Sequence, residues 1–393
     1  MTTYLTNYLD SRYKTYENDN YNGVVRISYN GYYGTGMLLY DGVSILTAAH
    51  LFSSTPVSAS QSKVLLQTPT GNVEYNTSNP TIYDYYDPAN ANGDLAIVKL
   101  DAHAPADAHR YELYRNSDEI GKDFTLVGYG EPGSGAYGVD TNYHELLKLK
   151  SQNSFDADFL TIKQSPKTAI AWTPWEGSQL AADFDDTTSQ NDTIGYLTDT
   201  PNIGLGVNEG LIAPGDSGGP AFINNKVAGV ATYVTALDNS VDSSFGDIAA
   251  WQRVSYFQKW IDQTIRAGYT DAPTCPQDVI KNIEEGSAGD ISTNYFLVQY
   301  LGIRDAISDN ITLEYTTRDG TAVAGSDYIA TSGELVIYPD ETQVAIPVEI
   351  IGDNIYEADE YFYMDISNPS YGSLGEGVVK LTAMRTILND DLF

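Results

Sequence analysis

The stretch Ala213-Pro214-Gly215-Asp216-Ser217-Gly218-Gly219-Pro220 places one serine among glycines. Glycine permits backbone angles that a side chain would strain, and it leaves room for a carbonyl group to approach the main chain. The N–H groups of Gly215 and Ser217 can then point at one spot, as the stabilisation of an oxyanion requires. A serine hydroxyl is a weak nucleophile unless a base takes its proton. The stretch therefore predicts a reactive serine and requires a base elsewhere in the chain.

Two stretches upstream supply a base and a group to orient it. Leu46-Thr47-Ala48-Ala49-His50 ends a predicted strand, so His50 lies just past the strand end, where functional residues often occur. Gly93-Asp94 leads into a second predicted strand over residues 95–100. A serine, a base and a group that orients the base form the usual arrangement of nucleophilic catalysis.

Strands dominate the sequence around these motifs. Residues 24–29 alternate between polar and apolar side chains before the turn Asn30-Gly31, which is a strong hairpin signal. A second hairpin is predicted around Asp41-Gly42. Apolar residues recur with a helical period over residues 254–265, and Gly268 is a plausible end of that helix. The pattern predicts a β-rich domain closed by one helix.

Composition limits the function classes. The chain has 393 residues, which favours two domains, and its 53 acidic against 21 basic residues give a net charge of −32. Such a charge argues against nucleic-acid binding, which needs a basic surface. The acidic stretch at residues 183–186 is predicted to be a solvated loop. The single cysteine, Cys275, allows no internal disulfide.

No targeting or membrane-spanning segment is evident from the sequence. Residues 1–20 are polar and lack the apolar core of a signal peptide. No apolar run approaches the roughly 20 residues that span a bilayer. Export, if it occurs, is expected to use another route or a leader that has been removed.

The three motifs, in the order His50, Asp94 and Ser217, resemble those of the trypsin/chymotrypsin-like serine proteases. The resemblance covers residues 21–268 and implies an all-β fold, a chymotrypsin-like double β-barrel with a C-terminal helix. It implies that Ser217 is the nucleophile and that His50 acts as general base and then as general acid. Asp94 would orient the imidazole, while Gly215 and Ser217 would supply the oxyanion N–H groups. The implied activity is that of a serine endopeptidase that forms an acyl-enzyme without a catalytic metal.

One departure from that family concerns activation. Family members pair the acid before the serine, here Asp216, with a new N-terminus that begins Ile-Val-Gly-Gly. No such sequence precedes Val24. The sequence therefore leaves two alternatives: Asp216 finds another partner, or cleavage occurs near Arg12 or Lys14.

Substrate preference follows from the same resemblance. Leu211, six residues before the nucleophile, matches the base of the primary specificity pocket, and Tyr233 and Val234 match the segment that lines it. These residues imply a small or medium apolar side chain before the scissile bond. Glu209 lies close enough that a shift of one or two alignment positions would change this prediction.

The remainder of the chain resembles a second family. Residues 269–277 carry two prolines and are predicted to be a linker. Residues 278–393 are strand-rich and include the stretches 319–328, 350–360 and 387–391, which resemble those of a Calx-β domain. That resemblance implies an immunoglobulin-like β-sandwich that binds Ca²⁺ in the loops at one end, as a structural cofactor.

Several acidic residues are candidate calcium ligands on this resemblance, in line with the oxygen ligands that Ca²⁺ prefers. Glu285 would align nearly as well as the first of them, Glu284. Carboxylates that the loops bring close together repel one another unless a cation is bound. The candidate ligands are Glu284, Asp327, Asp353, the carbonyl of Ile355, Glu357, Glu360, Asp390 and Asp391.

Together these features predict a secreted or cell-surface serine endopeptidase of bacterial type with an appended calcium-binding domain. Its expected partners are protein or peptide substrates, with a cell-surface or matrix partner for the second domain. The alternative is a calcium-dependent adhesion or binding protein whose protease-like domain is an inactive scaffold. An intracellular processing protease is a third hypothesis.

Overall fold

Both predicted hairpins are present in the structure, a computed structural model. The Asn30-Gly31 turn joins two strands of the first sheet, and the second hairpin turns at Gly42, whose φ of +73° suits glycine. The predicted helix is present over Val254–Arg266. The structure describes residues 1–16, 19–52, 62–168, 170–238, 240–302 and 310–391.

The chain divides into two units, Met1–Thr264 and Ile265–Phe393. The strands of the first unit are β1 (Thr2–Thr3), β2 (Val24–Tyr29), β3 (Tyr32–Leu38), β4 (Ser44–Thr47), β5 (Ser62–Thr68), β6 (Gly71–Asn76), β7 (Thr81–Ile82), β8 (Ala96–Lys99), β9 (Asp123–Gly128), β10 (Gly133–Ser134), β11 (Gly138–Val139), β12 (Leu149–Ser154), β13 (Ala157–Asp158), β14 (Gln179–Asp183), β15 (Gly210–Leu211), β16 (Pro220–Ile223), β17 (Lys226–Thr235) and β18 (Ile248–Arg253). The helices are α1 (Phe159–Gln164), α2 (Thr193–Thr198) and α3 (Val254–Arg266).

Two seven-stranded sheets form the half-barrels of the first unit. The first has the order β6-β5-β2-β3-β4-β8-β7, and the second has the order β12-β9-β16-β17-β18-β14-β13. Each packs a separate apolar core: Val25, Ile45 and Val98 lie in the first, and Phe124 and Trp251 lie in the second. The all-β double-barrel prediction is confirmed.

The first residues of the chain belong to this first unit, although the sequence placed the start of the domain at residue 21. Strand β1 lies between β10, which it pairs in parallel, and β15, which it pairs antiparallel. Hydrogen bonds on both sides fix the N-terminal strand, and Met1 is buried in the second core. The boundary between units falls within α3, so the predicted linker at residues 269–277 lies in the second unit.

The second unit is a sandwich of strands, as predicted. Its larger sheet has the order β19-β25-β24-β21-β22, and β20 pairs with β23 in a second sheet. Phe296, Tyr328 and Phe362 lie in the core. The strands are β19 (Asn282–Glu284), β20 (Ile291–Gln299), β21 (Ile311–Asp319), β22 (Ser332–Ile337), β23 (Gln343–Ile351), β24 (Glu360–Ser367) and β25 (Lys380–Leu388). Among the residues described, no helix has the length and apolar character needed to cross a membrane.

Candidate active site and cation sites

The register of the first half-barrel brings His50 and Asp94 together. Strand β4 pairs antiparallel with β8, with Thr47 opposite Ala96, so the residues just beyond these two positions meet at one edge of the sheet. His50 lies in a short 3-10 turn directly after β4, and Asp94 lies directly before β8. Asp94 contacts His50 twice: its Oδ2 lies 2.7 Å from Nδ1, and its Oδ1 accepts the backbone N–H of His50 at 2.8 Å.

These two contacts set the protonation of the imidazole. The Asp94 side chain is 2% exposed and that of His50 is 33% exposed. Burial alone lowers the pKa of His50, but the hydrogen bond and the charge of Asp94 outweigh it and leave the pKa raised above 6.5. The carboxylate beside Nδ1 favours the tautomer with its proton there, which leaves Nε2 as the basic nitrogen.

Ser217 lies on a tight loop that the second half-barrel presents to the first. Gly218 has a φ of +81°, and a Cβ there would lie 2.8 Å from the backbone nitrogen of Ala48, two residues before His50. The carbonyl of Ser217 accepts the N–H of Thr35 at 2.9 Å. This close packing of main chain holds the serine loop against the segment that carries His50, and only glycine fits at position 218.

The two N–H groups predicted to bind an oxyanion, those of Gly215 and Ser217, differ from their neighbours in hydrogen bonding. The N–H groups of Asp216, Gly218 and Gly219 all donate to backbone carbonyls. Within the described ranges, the N–H groups of Gly215 and Ser217 donate to no protein acceptor. Gly215 has a φ of +93°, which favours glycine. Two N–H groups at the nucleophile are thus available to a ligand.

Asp216 has a partner at the start of the chain. The N-terminal ammonium of Met1 lies 2.7 Å from Asp216 Oδ2 and also donates to the carbonyl of Glu131 at 2.7 Å. Asp216 Oδ1 accepts the N–H of Gly130, and Oδ2 accepts the N–H of Ala213. In this structure Asp216 thus pairs with the first residue of the sequence, and cleavage near Arg12 or Lys14 stays a prediction.

Of the residues matched to the specificity pocket, Leu211 is buried, and Tyr233 and Val234 are half-buried. Leu211 is fully buried in the second core and pairs with Thr2 across the β1–β15 ladder. Val234 packs on the same core. The Tyr233 hydroxyl donates to Gln179 and accepts from Trp172 Nε1. Their roles in substrate binding stay predictions.

Glu209 is the acid that a shifted alignment would place in the specificity pocket, and its side chain bonds to backbone N–H groups. It is fully buried, and its two oxygens accept the N–H groups of Asp185 and Leu205. Burial raises its pKa to about 7. These backbone contacts engage both carboxylate oxygens with the 183–209 segment.

The second unit gathers six carboxylates in two adjoining groups. Within each group the acids offer oxygens that lie within 4.8 Å of one another. The charges of Glu357 and Asp327 act on Glu285 of the first group and on Glu360 of the second. Burial is the main cause that raises the pKa of Glu285 to about 7, and that of Glu360 likewise to about 7. The groups are Glu285 with Asp353 and Asp391, and Asp327 with Glu357 and Glu360.

Glu285, and not Glu284, lies among these acids. The structure therefore favours the alternative, Glu285, over the predicted ligand Glu284. Glu284 is the last residue of β19 and is exposed. Glu285 follows the strand end, donates its N–H to the carbonyl of Leu388 and is buried. Side chains of consecutive strand residues point to opposite faces, so a shift of one position decides which glutamate reaches the loops.

Two other predicted ligands lie beside the acidic groups without joining them. Asp390 accepts the N–H of Gly286 at 3.2 Å. Ile355 is exposed and donates its N–H to Asp353 at 2.6 Å. Both are within the loops that carry the six acids, and their part in cation binding stays a prediction.

The acidic stretch at residues 183–186 is largely buried, so its prediction as a solvated loop is wrong. Asp183 ends β14, and Phe184 and Asp185 are also buried. Burial is the main cause that raises the pKa of Asp183 well above its ordinary value and that of Asp185 to about 9. Phe184 packs in the core, and its two neighbours in the chain, Asp183 and Asp185, are therefore buried with it.

Sequence reasoning missed two residues of the active-site region. Thr35 donates its hydroxyl to the carbonyl of Gly215 at 2.8 Å and accepts the N–H of Tyr129, but a threonine in a strand carries no distinguishing signal. Met1 was missed as the partner of Asp216. Residues 1–9 carry no charged side chain in a chain of net charge −32, and this was a signal that the chain start, Met1 to Thr3, is buried.

Two half-barrels with a His-Asp pair on one and a glycine-framed serine on the other define a serine protease fold. A family model for trypsin matches residues 12–161, and one for the Calx-beta domain matches residues 298–391. The chain therefore carries a trypsin domain followed by a Calx-beta domain. The trypsin match ends before Ser217.

Relatives of known identity match the second domain. The sodium/calcium exchanger Calx of Drosophila melanogaster is 39% identical over 88 residues, 22% of this chain and 9% of that protein. Human sodium/calcium exchanger 2 is 40% identical over 92 residues, 20% of this chain and 10% of that protein. The chain thus spans about a tenth of the length of these curated animal relatives.

Among solved structures, one that resembles part of this chain is described as a serine protease. It is neuropsin, a serine protease expressed in the limbic system of mouse brain, with 12% identity and a TM-score of 0.46. The match covers 64% of this chain and 98% of neuropsin.

Proposed function

We propose that this protein is a serine endopeptidase that hydrolyses peptide bonds through an acyl-enzyme. The observation that carries the proposal is the double contact between Asp94 and His50, at 2.7 and 2.8 Å. It orients an imidazole at the edge where the loop of Ser217 packs. Support also comes from the trypsin domain and from the N–H groups of Gly215 and Ser217, which have no protein acceptor among the described residues.

The chemistry follows from these groups. His50 Nε2 takes the proton of the Ser217 hydroxyl as its oxygen attacks the carbonyl carbon, and the N–H groups of Gly215 and Ser217 stabilise the oxyanion. His50 then gives that proton to the leaving amine, which releases the first product and leaves the acyl-enzyme. A water molecule then attacks the acyl-enzyme in the same way, with His50 again as the base, and the Ser217 hydroxyl is regenerated. A nucleophile, its base and its oxyanion donors all come from the chain, so the reaction needs no catalytic metal.

Active-site labelling tests this proposal. We expect a fluorophosphonate probe to label the intact chain and to leave the Ser217→Ala variant unlabelled, since the probe reacts only with an activated serine. Ser189→Ala is the matched control, because it removes an exposed serine hydroxyl outside the site. If the intact chain is not labelled, the chain lacks a competent nucleophile and the adhesion or binding hypothesis gains support.

We further propose cleavage after small or medium apolar residues. The buried, apolar Leu211 and the packing of Val234 on the same core offer no counter-charge to a basic side chain. A peptide library should show apolar residues before the scissile bond at least tenfold above Lys or Arg, since burying an unpaired charge is costly. A strong preference for Lys or Arg would contradict this proposal.

In the second domain we propose that the six carboxylates hold structural Ca²⁺. All their donors are oxygens, as Ca²⁺ requires, and bound cations remove the repulsion among the acids. At Ca²⁺ a hundredfold above Kd, the Tm of this unit should rise by about 10 °C or more over the chelated protein. Hydrogen exchange in its strands would follow this transition separately from the first unit.

The matched pair of variants for that measurement is Glu285→Gln and Glu284→Gln. The first should reduce the response to Ca²⁺ because it removes a buried carboxylate of the group, and the second should not, since Glu284 is exposed. Equal responses in the two variants would argue against the assignment of Glu285.

We infer a secreted or cell-surface location and a bacterial type from the pairing of the two domains. A millimolar requirement for Ca²⁺ would support an extracellular setting over the cytosol, where Ca²⁺ is too scarce to fill weak sites. The second domain would contact a cell-surface or matrix partner. Calcium-dependent adhesion without proteolysis is the second candidate function, favoured only by the acidic groups of that domain.

A further inference from the structure

A group of buried carboxylates lies in the second half-barrel, outside the residues of the candidate active site. We call it the acidic pocket and define it by Asp183, Asp185 and Asp192. Asp183 ends β14, Asp185 lies in the following loop and Asp192 caps the N-terminus of α2. They are 1%, 2% and 4% exposed, and each offers an oxygen within 4.8 Å of the others.

Hydrogen bonds satisfy only part of the acidic pocket. Asp192 accepts the N–H groups of Gly195 and Asn202, and Asp183 Oδ2 accepts the N–H of Ile194. Asp183 Oδ1 and Asp185 Oδ1 are buried and accept no hydrogen bond. A buried carboxylate oxygen without a donor is rare in folded proteins, and here two of them belong to one pocket.

No positive side chain offsets these acids in the part of the chain that the structure describes. Glu209, which accepts the N–H of Asp185, and Asp156, which accepts from the side chain of Asn202, add two further carboxyl groups. The charges that act on Asp183 and Asp185 are all those of other acids. A buried carboxyl group without a positive partner either keeps its proton or coordinates a metal ion.

The donor set fixes the class of ligand. All three side chains of the acidic pocket offer carboxylate oxygen, and neither thiol nor imidazole takes part. Hard divalent cations prefer such donors, and Ca²⁺ accepts irregular arrangements of six to eight oxygens, whereas Mg²⁺ demands a near-ideal octahedron. We propose that Asp183, Asp185 and Asp192 bind one Ca²⁺ in the trypsin domain, separate from the acidic groups of the Calx-beta domain.

A cation at this site would stabilise the chain segment that leads to the loop of Ser217. The side-chain amide of Asn153 donates to the carbonyls of both Asp183 and Gly210, which joins the end of β14 to the start of β15. Strand β15 leads directly into the loop that carries Ser217. Calcium bound at Asp183 therefore stabilises a segment on which the active site depends, without contact with substrate.

The experiment separates this site from those of the Calx-beta domain. It uses the full chain with Asp353→Asn, Glu357→Gln, Glu360→Gln and Asp391→Asn, the background variant. After exhaustive chelation, calorimetric titration with Ca²⁺ alone should give one bound ion per chain. The first unit should gain about 5–10 °C in Tm at Ca²⁺ a hundredfold above Kd. A background variant that binds no Ca²⁺ would overturn the proposal.

Two substitutions added to the background variant locate the ion. Asp183→Asn with Asp185→Asn should abolish the binding, while Asp199→Asn, which changes an exposed acid just after α2, should leave it unchanged, because Asp199 lies outside the pocket. The Tm of the double variant should no longer respond to Ca²⁺. Undiminished Ca²⁺ binding by a folded double variant would also overturn the proposal.

Discussion

We expect Asp94→Asn to lower kcat by about 10⁴-fold, with little change in the fold. Asp94 uses one oxygen for Nδ1 of His50 and the other for its backbone N–H. An asparagine can satisfy only one of these donors, and its amide can turn the imidazole to the wrong tautomer. The measurement is kcat for a chromogenic peptide substrate, with Asp101→Asn, at the other end of β8, as control.

The pH profile gives the same prediction a second readout. Because Asp94 raises the pKa of His50 above 6.5, kcat/KM of the intact protein should rise with pH through a value above 6.5 as the imidazole loses its proton. In Asp94→Asn the remaining burial lowers that pKa, so the acid limb should move to lower pH. A variant that keeps kcat within tenfold and an unmoved acid limb would contradict the proposed role of Asp94.

The second large effect concerns the N-terminal ammonium. Asp216→Asn removes the partner of a buried positive charge, and breaking such a pair costs about 3–5 kcal/mol. If the ordered conformation of the loop that carries Ser217 is destabilised by this free energy, proteolytic activity should fall by roughly 10²–10³-fold. The control is Glu74→Gln, which breaks the exposed pair with Lys63 and should have little effect.

An extension of the chain tests the ammonium itself. Two residues placed before Met1 remove the charge from the position beside Asp216 and should reduce fluorophosphonate labelling by a similar factor. Removal of the extension by a site-specific protease that leaves Met1 first should restore labelling. Full labelling of the extended chain would show that the contact between Met1 and Asp216 does not order the nucleophile loop.

Much of the fold could be predicted from local patterns. Alternation and the Asn30-Gly31 turn fix one hairpin because both act over a few residues, and the helical period after residue 253 fixes α3. The types and order of His50, Asp94 and Ser217 were also evident, since each lies in a short motif at a strand end. The close approach of His50 to Asp94 required the β4–β8 register, which no single motif contains.

By itself, the sequence determined the β-rich architecture, the second domain and the reactive residue types, all of which depend on short stretches of chain. Only the tertiary structure decided which group meets each buried charge. It pairs Asp216 with Met1, brings Glu285 in place of Glu284 to the acids of the second unit, and buries Asp183 and Asp185. The reason is physical: the environment of a charge depends on residues far apart in the chain that meet only when the sheets close.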